Sequence, residues 1–150
     1  MSSRLGPVPT PSKPEEITRL VLDLGKSLAS HYDARLSKLD LTIPQAMLLR
    51  QLGEALPMNE AAGKLHCDPS NVTGIVDRLE ARGLIARQQL SKDRRVKNLV
   101  LTAKGRALKR RVDSILSSAP GVSDLAAADQ ATLRDLLARS LTQTGQRPRP

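Results

Sequence analysis

One cysteine, Cys67, and two histidines, His31 and His66, are all this 150-residue chain offers of its strongest metal ligands. A lone cysteine excludes an internal disulfide and suits a reducing cytoplasm. With only these three residues, a tetrahedral structural metal site cannot be assembled, so no metal and no other cofactor is expected. There is no run of about 18 apolar residues, so no membrane span is expected. Residues 1–14, M-S-S-R-L-G-P-V-P-T-P-S-K-P, have neither an apolar core nor a cleavage site, so no secretory signal is expected. Paired carboxylates in a cleft signature, a nucleophile beside a histidine and a glycine-rich phosphate loop are all missing, which argues against an enzyme. Phe and Trp are absent and Tyr32 is the single aromatic residue.

What is present is a hydrophobic content of 39% and a charged content of 26%, ordinary for one soluble globular domain. The net charge of +9 is not spread evenly. Between Arg82 and Arg111 lie eleven of the 24 Lys and Arg residues but only one acid, Asp93, so these thirty residues carry the whole positive excess. Such a concentrated field calls for a polyanion partner. The charges do not sit on a helix with a large bulky apolar face, which favours nucleic acid over a membrane surface.

The stretch just before this region, Asp68 to Gly83, reads as a helix. Asp68 is positioned to cap it, Pro69 suits its first turn, and Gly83 suits a left-handed residue that ends it. Val72, Ile75, Val76 and Leu79 make one apolar stripe at helical spacing. The opposite face carries Ser70, Gly74 and Asp77, flanked by Asn71, Thr73 and Arg78. Short hydrogen-bonding side chains and a glycine allow close approach to another surface and can read base edges. Ser70 and Asn71 stand in the first turn, where they either contact DNA or cap the helix. Arg78 can take a guanine or a phosphate, and Asp77 is expected to orient Arg78 or a wing arginine.

Around this helix the pattern is mainly α. Residues 1–14 hold four prolines and read as a flexible arm, and 144–150 as a tail. A long helix spans about 15–38, with Ile17, Leu20, Val21, Leu24, Leu28, Tyr32, Leu36 and Leu39 recurring at three- and four-residue steps. Part of so long a stripe is expected to pack against another chain. A capping box, Thr42 with Gln45, starts a second helix whose inner face is Ala46, Leu48, Leu49 and Leu52. Pro57 ends the connection to a third helix, Met58 to His66, with Ala61, Ala62 and Leu65 inward. After Gly83 the period falls to two: strands are expected at Leu84–Leu90 and Val96–Leu101, joined by the charged tip S-K-D-R-R. Thr102 can cap a fifth helix through Leu116, Ala119-Pro120-Gly121 breaks it, and a sixth helix runs from about Ala127 to Thr142. Helix, turn, helix and hairpin in this order make a winged helix-turn-helix.

The segment Asp93 to Thr102, D-R-R-V-K-N-L-V-L-T, followed by Gly105, resembles the wing pattern D-x-R-x-x-x-x-x-L-T of the MarR family of bacterial transcriptional regulators. P-S-N-V-T-G-I-V-D-R-L-E-A-R-G-L-I is similar to that family's recognition helix and first strand, and L-T-x-x-Q at Leu41–Gln45 to its second-helix start. The likeness covers about residues 15–143. It implies a homodimer held by helices at about 15–38 and 103–143, with a DNA-binding lobe at about 42–102. It also implies a repressor of transcription that binds double-stranded, palindromic operator DNA and is released by a small-molecule effector. Arg95 would enter the minor groove, Asp93 would hold the tip's arginines, and Lys92 and Arg94 would meet phosphates, while Ser70, Asn71, Thr73, Gly74 and Arg78 face the major groove. Tyr32 could touch an effector, although simple packing also accounts for it. Cys67 is read as a small buried hydrophobe; the alternative function is a DNA-binding regulator without an effector, either constitutive or oxidant-responsive through Cys67. The charges from Lys104 to Arg111 spread around their helix and read as a solvated face.

Overall fold

The structure, a computed structural model, describes residues 13–53, 55–65, 67–89 and 97–144. The arm up to residue 12, His66, the hairpin tip 90–96 with Lys92, Asp93, Arg94 and Arg95, and the tail from 145 lie outside the described residues. The chain begins with α1 (Pro14–Leu36), continued by one 3-10 turn, Ser37–Leu39. There follow α2 (Ile43–Gln51), β1 (Leu56–Pro57), α3 (Met58–Leu65) and α4 (Pro69–Ala81). Strands β2 (Ile85–Gln88) and β3 (Asn98–Leu101), then α5 (Ala103–Leu116) and α6 (Ala127–Gln143), complete the order. This is the expected winged helix-turn-helix.

Local chemistry fixes most boundaries. At α2 the Thr42 hydroxyl accepts the Gln45 N–H, and the Gln45 side chain accepts the Thr42 N–H at 3.0 Å, the reciprocal capping box. Helix α4 ends as expected on Gly83, whose φ of 66° is left-handed. Two bonds close that end: the Gly83 N–H donates to the Glu80 carbonyl and the Leu84 N–H to the Leu79 carbonyl. Its other end corrects an expectation. Asp68 occupies the cap position with extended backbone, but its side chain makes no capping hydrogen bond; Pro69, lacking an N–H, leaves one orphan donor fewer to satisfy.

The strands are shorter than the alternating pattern suggests, and a third strand joins them. β3 lies between β1 and β2, antiparallel to both, with Leu56 opposite Leu99 and Ile85 opposite Leu101. Two residues carry no periodicity to detect, and Pro57 is tolerated there because β1 is an edge strand.

The core is aliphatic. Leu36, Leu48, Leu49, Leu52, Val76, Leu79 and Leu99 are fully buried, each contributing roughly 1.5–3 kcal/mol of transfer free energy. The outer part of α1 and all of α6 stand apart from it: of α1 only Leu36 is buried, and of α6 nothing. Ile17, Leu20, Val21 and Leu22 of α1, and Leu136, Leu137 and Leu141 of α6, are exposed in the single chain.

One close contact locks α5 against the start of the wing. A methyl group at Gly105 would lie 1.8 Å from the Leu84 carbonyl oxygen. Gly105→Ala is therefore expected to destabilise the fold by about 1–3 kcal/mol through forced displacement. Gly63→Ala, a helical site with nothing within 4 Å, should instead gain up to about 1 kcal/mol. Urea unfolding of the two variants checks both signs.

Candidate nucleic-acid interface

Helix α4 is seated by Val72, Val76 and Leu79, all buried, with Ile75 half-buried. This leaves Ser70, Asn71, Thr73, Gly74 and Arg78 exposed together on one side, as their helical positions require. Thr73 donates its hydroxyl to the Pro69 carbonyl at 3.2 Å, which orients it and keeps its oxygen available as an acceptor. No atom lies within 4 Å of where a Gly74 side chain would begin. Internal packing therefore does not demand glycine here.

Asp77 reaches the wing rather than Arg78. Its Oδ1 lies 2.5 Å from Nη2 of Arg87 in β2, and Nη1 of the same guanidinium bonds Glu80. The Arg87 backbone N–H also donates to Glu80 Oε1 at 3.2 Å. Of the two partners expected for Asp77, an arginine of the wing is the one found, but on the strand and not in the tip. Hydrogen bonding to Asp77 holds the Arg87 guanidinium above its ordinary pKa, helped by the charges of Glu80 and Asp77 and opposed by burial. One cation thus spans two carboxylates and offsets one of their two negative charges.

Two roles were missed from the sequence: the Arg87 clamp and the part of Arg82. Both arginines stood in the basic run, where spacing alone could not separate paired cations from free ones. Arg82, the residue after α4, donates to the carbonyls of Leu39, at 3.0 Å, and Asp40.

A cavity of about 580 Å³ opens beside α4, lined by Ile43, Met47, Leu65, Cys67, Asn71 and Arg78 among others. Cys67 is half-buried there. Tyr32 is not among the lining residues; it packs against the core, with its ring edge-on to His31 at 5.6 Å. Among the described residues no group of three or more His, Cys, Asp or Glu could hold a metal, and no helix is long and apolar enough to cross a membrane.

Comparison with known proteins matches residues 41–97 to the MarR family model. The organic hydroperoxide resistance transcriptional regulator of Bacillus subtilis is 30% identical over 114 residues, 75% of this chain and 78% of that protein. The chain belongs to the MarR family. The transcriptional regulator TtmR of Methylorubrum extorquens is 32% identical over 109 residues, 71% of this chain but only 56% of TtmR, so the chain spans little more than half of that relative. Among solved structures, the MarR-family regulator AbsC from Streptomyces coelicolor superposes with a TM-score of 0.78 at 23% identity, over 90% of this chain and 98% of AbsC. A mutant MarR from E. coli complexed with operator DNA gives 0.70 at 25% identity, over 83% of this chain and 93% of that one. NadR in complex with 4-hydroxyphenylacetate gives 0.69 at 28%, covering 88% and 96%. This MarR-family chain is a winged-helix transcriptional regulator.

The clamp yields a measurable coupling. In a double-mutant cycle of Asp77→Asn and Arg87→Gln, unfolding free energies should show a favourable interaction of about 0.5–1 kcal/mol, the range for a partly exposed pair. A coupling near zero would leave the wing unattached to α4 by this route.

Proposed function

We propose that this MarR-family regulator works in the bacterial cytoplasm as a homodimeric repressor that grips palindromic double-stranded DNA. Each α4 enters a major groove through Ser70, Asn71, Thr73, Gly74 and Arg78, and the two grooves lie one turn apart, roughly 34–36 Å. Arg95 enters the flanking minor groove, Asp93 steadies the tip, and Lys92 and Arg94 neutralise phosphates. The observation that carries this reading is the exposed face of α4: apart from Arg78 its residues are small, and nothing packs against the position of a Cβ at Gly74. The basic run that begins at Arg82 and the operator-bound structural relative support it. The exposed apolar residues of α1 and α6 support pairing of two copies through those helices.

A small-molecule effector fits the same scheme. The cavity beside α4 is within the usual range for ligand sites, about 300–1,000 Å³, and NadR supplies a structural relative with a bound aromatic acid. The residues lining this cavity do not include Tyr32, which packs against the core. An effector that binds the DNA-free state better shifts the equilibrium toward release.

A second reading, thiol control through Cys67, is favoured by the position of that residue in the cavity wall and by the hydroperoxide-resistance relative. Its test is operator release by peroxide from the wild type and from Cys67→Ser; equal sensitivity of the two removes the thiol switch.

For the main reading, the test is a gel shift on DNA footprinted upstream of the protein's own gene. Arg95→Ala and Gly74→Val should each remain folded and dimeric while losing roughly tenfold or more in affinity, as expected for one lost groove contact worth about 1–3 kcal/mol. Unchanged affinity in Arg95→Ala rejects the wing assignment, and in Gly74→Val it rejects close approach by α4.

A further inference from the structure

The end of α1 is an awkward piece of backbone. After the 3-10 turn, Asp40 adopts φ 51° and ψ 42°, a left-handed conformation that side chains other than glycine seldom take. The carbonyls of Leu39 and Asp40 lie at this terminus, and the Arg82 guanidinium spans them: Nη2 donates to Leu39 and Nη1 to Asp40. Arg82 is also the residue that terminates α4, its N–H donating to the Arg78 carbonyl. Its own carbonyl accepts from Nζ of Lys104, in the first turn of α5, at 3.0 Å. One residue therefore joins the end of α1, the end of α4 and the start of α5.

We infer that Arg82 is a positioning residue that sets which separation of DNA half-sites the protein accepts, an inference that rests on the dimeric DNA-binding reading above. The α1 stripe leads toward the second copy, while α4 faces the DNA. Whatever holds α4 at a fixed attitude to α1 fixes the distance and rotation between the two recognition helices. A planar guanidinium bridging two carbonyls defines both a distance and a plane, which an ammonium acting as a point donor does not. Arg82 does this from a half-buried position without being part of the exposed face of α4.

The test measures the affinity of full-length protein for operators whose half-sites are moved together or apart by one and two base pairs. Wild type should show a sharp optimum, and Arg82→Lys, which keeps the charge, should lose about tenfold at that optimum. The variant should also show a flattened profile across the other spacings. Lys104→Met, which frees the Arg82 carbonyl and leaves its guanidinium in place, should flatten the profile partially. It carries the test if Arg82→Lys does not fold. Loss of general phosphate attraction would lower all spacings together, so the shape of the profile is the diagnostic quantity. A folded, dimeric Arg82→Lys with the wild-type profile overturns the inference while leaving the DNA-binding reading intact. Wild type that binds no DNA at any spacing overturns both.

Discussion

The Leu84 carbonyl is the point on which the structure turns. It accepts the Thr102 N–H at 3.1 Å and the Thr102 hydroxyl at 3.2 Å, and the backbone of Gly105 lies directly against it. Thr102 reaches the neighbouring Gly83 carbonyl as well, at 2.7 Å, and caps α5 by accepting the Gly105 N–H. Helix α4, the wing and α5 thus meet at contacts too close to admit a further side chain at Gly105. Leu101, Thr102 and Gly105, the closing residues of the wing signature, form this junction. Their spacing reflects backbone contact within the fold, whereas the exposed polar residues of α4 take no part in that junction.

The charges divide in the same way. Asp77 and Glu80 are absorbed by Arg87, and Arg82 by the carbonyls at the end of α1. Lys109 is tied to the Arg50 carbonyl at 2.5 Å and to Asp113. A substantial part of the positive run that marks this chain is therefore structural. The cations held by carbonyls nevertheless keep their full charge, because a carbonyl neutralises none.

Helix positions, the Thr42–Gln45 box and the left-handed Gly83 were legible in the sequence because each is a local rule, satisfied within one turn of chain. The seating of α4 was legible because 3.6-residue periodicity separates its buried Val72, Val76 and Leu79 from its polar face. What escaped was set by partners distant in sequence. Strand β1 exists only because Leu99 lies opposite Leu56, and Arg82 acquires its role from carbonyls more than forty residues away. The Asp68 side chain shows the reverse case, a sound local rule that the structure did not need once Pro69 occupied the first turn.

A chain with Tyr32 as its sole aromatic residue has one further property. Its intrinsic ultraviolet emission comes entirely from a single ring, sited where α1 joins the core and edge-on to His31. That ring is a built-in optical reporter, free of background from any other residue, on the stretch of helix between the exposed apolar residues of α1 and the junction at Arg82.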